Sequence, residues 1–194
     1  MSQSTDDTLM NGAESLVKTL LESGLDTCFT NPGTSEMHFV AALDHVPGMR
    51  SILVLQEGVA TGASGIVNIV GEHAVSHIEL DAPLTSDIEG IARPVSHWVH
   101  TSMSASDVGA DAAKAVQAAN LAPGQVATLM LPSDTAWNTG GKVAEPLAPQ
   151  PRPPFDATAL DDAVAALSGP DSLLLLGGAA LTEDMLEIAG RISA

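Results

Sequence analysis

Three sets of residues in this sequence have types and spacings that could carry chemistry. The first is Asn31-Pro32-Gly33-Thr34-Ser35, which follows the apolar run Cys28-Phe29. Asn-Pro-Gly is a strong turn signal, and in open α/β sheets ligands collect on such loops, beside helix N-termini with free N–H groups. An ordinary strand-to-helix turn has the same composition, so both readings stand. The second is Glu57, placed between the apolar run SILVLQ (51–56) and Gly58. A carboxylate at that junction is partly buried, and burial raises its pKa toward the working range of a general acid or base. The competing reading is a first-turn glutamate that favours a helix dipole. The third is Glu72-His73 with His77, Glu79 and Asp81. Histidines at i and i+4 can share a helix face and bind a metal, but Gly71, Pro83 and the polar composition favour solvated loop histidines. His97, Trp98 and His100 lie on an alternating stretch and read as packing residues. Gly177-Gly178 lacks the remaining glycines of a dinucleotide loop. Cys28 falls inside a predicted strand, where a thiol is usually inert.

The elements that must position these residues follow from periodicity. Ala13, Leu16, Val17, Leu20 and Leu21 form one apolar helix face, with Gly24 at the C-terminal cap position. Residues 26–30 read as a short buried strand. Ser35 and Glu36 open a second helix that Val46-Pro47-Gly48 stops. Residues 51–56 form an apolar run, as expected of a parallel strand covered on both faces, and 66–70 (IVNIV) read as the next buried strand. Only nine residues, 57 to 65, separate these two strands. A parallel crossover usually needs a dozen or more. Either the pair is antiparallel, or the helix between is clipped, or a segment of a longer ancestor is absent. Residues 71–92 read as an acidic loop, 95–99 as a strand, 104–120 as an Ala-rich helix and 126–131 as a strand closed by Pro132. Residues 144–156 hold five of the 12 prolines and read as a semi-rigid linker. Beyond it come a helix (159–167), a very apolar strand (172–176) and a helix (182–192). One strand between two helices cannot bury both its faces.

Composition narrows the function. Against 24 Asp+Glu stand 7 Lys+Arg, a formal charge of −17. Such a surface repels phosphate backbones and anionic lipid, which argues against nucleic-acid or membrane-surface roles. No apolar run approaches the ~20 residues of a bilayer span. The N-terminal MSQSTDDTLMNG lacks the basic flank and apolar stretch of a secretory signal, so a cytoplasmic protein is expected. The single cysteine excludes an internal disulfide.

Taken in order, several segments resemble the amino-terminal part of a thiamine-diphosphate-dependent enzyme, of the acetolactate synthase and benzoylformate decarboxylase branch. They are NPGTSE (31–36), LQEG (55–58), IVNIVGEHA (66–74), DAPLTSDIEGIARPVSHWVHT (81–101) and LMLPSDTAW (129–137). LLLLGGAALTEDMLEIAGRI (173–192) is similar to the opening of that family's central domain. The resemblance implies an α/β fold, a parallel sheet flanked by helices of the pyrimidine-binding type, over residues 1–143. It implies a Pro-rich linker over 144–156 and the first elements of a central α/β domain over 157–194. It implies that Glu57 hydrogen-bonds N1′ of the cofactor aminopyrimidine and activates it. It also implies that Asn31, Pro32, Gly33, Thr34 and Ser35 border the cofactor, with Thr34 and Ser35 toward the substrate pocket. The implied substrate is a 2-oxo acid such as pyruvate or an aromatic 2-oxo acid, and the implied assembly is a homodimer or larger.

Two departures accompany the resemblance. Relatives carry a longer helix, a further strand and a glycine-rich loop between the glutamate and the IVNIV-like strand. Here Ala63-Ser64-Gly65 leads straight to Ile66, so about one βα unit of ~30 residues or more is missing. The Gly-Asp-Gly … Asn segment that holds Mg2+ and the diphosphate is not in these 194 residues, so the chain alone is expected to be inactive. The alternatives are a non-catalytic module that keeps only the fold, and a small flavodoxin-like binding domain.

Overall fold

The computed structural model describes residues 10–54, 65–121, 124–151, 154–169 and 171–193. The first helix, α1 (Gly12–Glu22), begins with a reciprocal cap. Glu14 N–H donates to Asn11 Oδ1 at 2.8 Å, and Asn11 N–H donates to Glu14 Oε2 at 3.2 Å. It ends at Gly24, whose φ of +82° is open to glycine without strain. Strand β1 (Thr27–Thr30) and helix α2 (Met37–His45) follow, then β2 (Arg50–Leu53). β3 (Ile66–Glu72) leads through a 3-10 turn at Val75–Leu80 to α3 (Ile88–Ala92) and β4 (Trp98–Thr101). Helix α4 (Val108–Ala119), strand β5 (Val126–Pro132) and the short α5 (Ser133–Trp137) complete the body. Helices α6 (Ala157–Leu167) and α7 (Glu183–Ile192) come after the proline-rich stretch.

Among the described residues the strands form two parallel sheets, where the sequence suggested one. β1 pairs with β2, from Thr27 opposite Arg50 to Thr30 opposite Leu53. β5 lies between β3 and β4 and pairs in parallel with both. The short connection after β2 therefore joins strands of different sheets, and β2 and β3 are not neighbours. β3 instead takes its partner from β5, which the chain reaches by a long excursion through α3 and α4.

Both sheets contribute to one core. Leu16 and Val17 of α1, Phe39 and Ala42 of α2, Val108, Ala112 and Val116 of α4, and Leu129 and Leu131 of β5 form a single buried cluster. Cys28 of β1 and Val67 and Ile69 of β3 pack against it. β5 is the most deeply covered strand, as its central place requires. Residues 138–150 are laid against this body. Thr139 bridges Asn11, Ala144 N–H donates to the buried Thr19 Oγ1 at 3.1 Å, and Gln117 Nε2 donates to the Ala148 carbonyl at 2.6 Å. Gly109 allows this approach, because a Cβ there would run into the Lys142 carbonyl.

Four expectations shift at their edges or fail. The strand expected at 95–99 lies at Trp98–Thr101, because Val95 and Ser96 donate their N–H groups to the Ala92 carbonyl and finish a turn after α3. The helix expected from Ser104 starts at Val108, because Ser104–Asp107 close their own turn, with Ser104 Oγ donating to Asp107 Oδ2 at 2.7 Å. The expected acidic loop of 71–92 contains the 3-10 turn and α3. Finally, residues 172–176 are not a strand. Leu173 and Leu175 are 86% and 89% exposed, and among the described residues no neighbouring strand supplies the ladder that a strand requires.

Candidate functional site

The carboxyl edge of the two sheets gathers the loops on which the sequence-level argument rested. Residues 31–35 follow β1 and are exposed at that edge. They present an amide and two hydroxyls, which are neutral polar groups. The conformation of the loop is held by the residue that ends it. Glu36 Oε2 accepts the Gly33 N–H at 2.9 Å, while Glu36 Oε1 accepts the Gly71 N–H at 2.9 Å. Gly71 is the penultimate residue of β3. The loop after β1 and the end of β3 are thereby brought together, although β1 and β3 belong to different sheets.

Neighbouring turns complete the edge. Asp134, just past β5, accepts the Val75 N–H and its neighbour Thr135 N–H, each at 3.0 Å. This fixes the chain leaving β3 against the start of α5. The His38 ring of α2 meets Trp137 of α5 edge-on, with centroids 4.4 Å apart and planes at 88°. Glu57 lies outside the described residues. In sequence it follows the last residue of β2, Leu53, by four positions.

The remaining candidates come apart. Glu72, His73, His77, Glu79 and Asp81 fall at the end of β3 and in or beside the 3-10 turn, not on one helical face. Among the described residues, no group of three or more His, Cys, Asp or Glu side chains could hold a metal ion. His77 Nδ1 pairs locally with Ser76 Oγ. Burial pushes the Cys28 thiol up from its ordinary pKa, in keeping with an inert cysteine. Gly177-Gly178 enters a short 3-10 turn.

One polar cluster escaped the sequence argument. Asp111 of α4 is 4% exposed and receives three partners. Ser102 Oγ donates to its Oδ2 at 3.0 Å, His100 Nε2 lies 3.1 Å from the same oxygen, and Lys114 Nζ lies 3.0 Å from Oδ1. The signal was present, since Asp111 stands three residues after Val108 and one before Ala112, on the helix's apolar stripe. A carboxylate there must be buried and therefore partnered. The cluster ties the end of β4 to the first turn of α4. A groove of about 190 Å³ lies elsewhere, where Pro146, Leu147 and Pro149 cross α4 at Gln117 and Asn120. That is the amino end of β5, the opposite edge of the sheet.

Residues 10–80 match the family model of the thiamine pyrophosphate enzyme N-terminal TPP binding domain. Through this domain the chain resembles the thiamine-pyrophosphate-dependent enzymes. It is similar to a protein of Mycobacterium tuberculosis (strain ATCC 25618 / H37Rv) that carries the name acetolactate synthase large subunit IlvX. The two are 41% identical over 220 residues, which cover 94% of this chain and 42% of the relative. Among solved structures it resembles a Rhodococcus jostii RHA1 thiamine diphosphate-dependent 4-hydroxybenzoylformate decarboxylase. That match has a TM-score of 0.60 at 20% identity, covers 81% of this chain and 37% of the other, and supports the fold. The chain thus spans less than half the length of either protein. Ninety-four per cent of 194 residues is about 182, so about 38 of the 220 aligned positions have no counterpart here. That is the size of one βα unit.

Proposed function

We propose that this chain supplies the aminopyrimidine-binding part of a thiamine-diphosphate-dependent 2-oxo-acid decarboxylase or carboligase of acetolactate-synthase type. The observation that carries the reading is the Asn31–Ser35 loop, exposed at the carboxyl edge of parallel strands within the stretch that matches the family model. Its neutral amide and hydroxyls suit a neutral heteroaromatic ring, and the edge is where this class of sheet collects ligands. Thr34 and Ser35 face the 2-oxo acid in this reading. When bound, thiamine diphosphate supplies the electron sink for decarboxylation. Glu57 exchanges a proton with N1′ of the aminopyrimidine. The Gly-Asp-Gly … Asn segment that holds Mg2+ and the diphosphate in the enzymes this chain resembles is not in these 194 residues, so in this reading complete turnover needs ligands from outside them.

The same reading divides the chain into a pyrimidine-binding domain (1–143), a linker (144–156) and the start of a central domain (157–194). It places the protein in the cytoplasm as a homodimer or larger assembly, with the Asn31–Ser35 loop near the interface. None of the described helices is long and apolar enough to cross a membrane. The roughly 38 unmatched positions favour a second reading, a module that keeps the fold without the chemistry.

Exchange of the thiazolium C2 proton of thiamine diphosphate, followed by NMR in deuterated buffer with Mg2+, separates the two. The expected result is exchange faster than for free cofactor, lowered ~10²–10⁴-fold by Glu57→Gln, with no net turnover of pyruvate. Exchange at the free-cofactor rate with thiamine diphosphate bound to the wild-type chain favours the module.

A further inference from the structure

Glu36 precedes α2 at the position where side chains usually cap their own helix, yet it makes no such bond. Its two carboxylate oxygens instead serve two backbone amides from different parts of the chain. One is Gly33, three residues back in the loop; the other is Gly71, thirty-five residues ahead at the end of β3, each at 2.9 Å. Both positions are shaped to receive it. A Cβ on Gly71 would press into the Glu36 carboxyl and the Ser35 side chain, and a Cβ on Gly33 would stand 3.1 Å from Glu36 Oε2. A carboxylate accepting two amide N–H groups makes charge-assisted bonds, stronger than those of a neutral acceptor. β1 and β3 share no ladder, so the height of the loop over β3 is not set by strand pairing. The Glu36 carboxylate ties the loop to β3 directly.

We propose that Glu36 is the positioning residue of the site, a clip that holds the Asn31–Ser35 loop in register with the end of β3 so that Asn31 to Thr34 meet the bound ring, and Thr34 and Ser35 the substrate, preorganised. This rests on the thiamine-diphosphate reading above. Glu36 touches neither cofactor nor substrate in this role. It acts through the loop, and its loss makes binding bear the ordering of that loop.

The test begins without ligand. Amide exchange at Gly33 and Gly71 is read by NMR in the wild-type chain, in Glu36→Ala and in Glu36→Gln. Glu36→Ala is expected to speed exchange at both glycines about tenfold or more, while Leu129 in the core strand is unchanged. Glu36→Gln keeps one acceptor oxygen, so protection should return at one glycine and not at the other. A residue that merely packs would not give this half-rescue. Unchanged exchange in Glu36→Ala, or wild-type protection of both glycines in Glu36→Gln, overturns the clip. Titration with thiamine diphosphate and Mg2+ supplies the second arm, with affinity expected to fall roughly three- to tenfold in Glu36→Ala. Equal affinity in the two proteins overturns the positioning role. No binding by the wild-type chain overturns the cofactor reading and this role of Glu36 with it, whatever the exchange data show. Lost clip bonds with intact wild-type binding, or the reverse, therefore identify which statement failed.

Discussion

Helices α1 and α6 are each 11 residues long and each is capped, α1 by Asn11 and α6 by Asp156, whose Oδ1 accepts the Thr158 N–H at 2.9 Å. Their fates differ. Seven of the residues of α1 are buried, and none of α6 is. The same contrast runs through the strands. Leu129 on β5 is completely buried between β3 and β4, whereas Leu173 in an equally apolar run remains 86% exposed. Capping and periodicity suffice to start a helix in either region. Burial requires a second element, and the described residues supply one only to the body.

The sharpest break of this comparison is a pair of identical truncations. Leu129→Ala is expected to cost about 2–5 kcal/mol, through lost burial and the cavity left behind. Leu173→Ala should stay within about 0.5 kcal/mol. Urea unfolding of the two variants measures the difference, and equal losses would show that the 172–176 run is packed in solution. Next in size is Asp111→Ala, expected at about 1–3 kcal/mol because it strands the buried Ser102 hydroxyl and removes the partner of His100 and Lys114. Asp111→Asn should recover part of this, since its amide oxygen still accepts from Ser102.

Cys28 probes the border of the body. Because burial pushes its thiol up, thiolate is scarce, and iodoacetamide should alkylate it several-fold more slowly in the folded chain than in urea. The sign for stability follows. The contribution of the buried neutral thiol is full below the ordinary thiol range and is lost as pH rises through the raised value, because the unfolded thiol ionises first. The smallest effect is expected from ending the chain after Gln150. Helices α6 and α7 bury nothing in the described structure, so the melting temperature of the body should not move. A fall of several degrees would place a missing contact between the two regions.

Much of this was legible from residues alone. The α1 face, the Asn31-Pro32-Gly33 turn and the strands around Cys28, Ile69 and Leu129 are written in period and punctuation, which act over a few residues and need no distant partner. The short interval between Gln56 and Ile66 also announced an irregular connection. Sequence could not say that β3 would choose β5 and leave β1 and β2 as a separate sheet, because strand partners are set by which surfaces can be brought together. Nor could it show Asp111 gathering Ser102, His100 and Lys114, or Glu36 reaching Gly71. Those bonds join residues whose proximity exists only after the helices have packed. Local chain chemistry determined the elements, the acidic character and the loop able to meet a ligand. Tertiary packing decided which elements are buried and how that loop is held, because hydrophobic burial and buried hydrogen bonds are properties of pairs of surfaces and not of a segment.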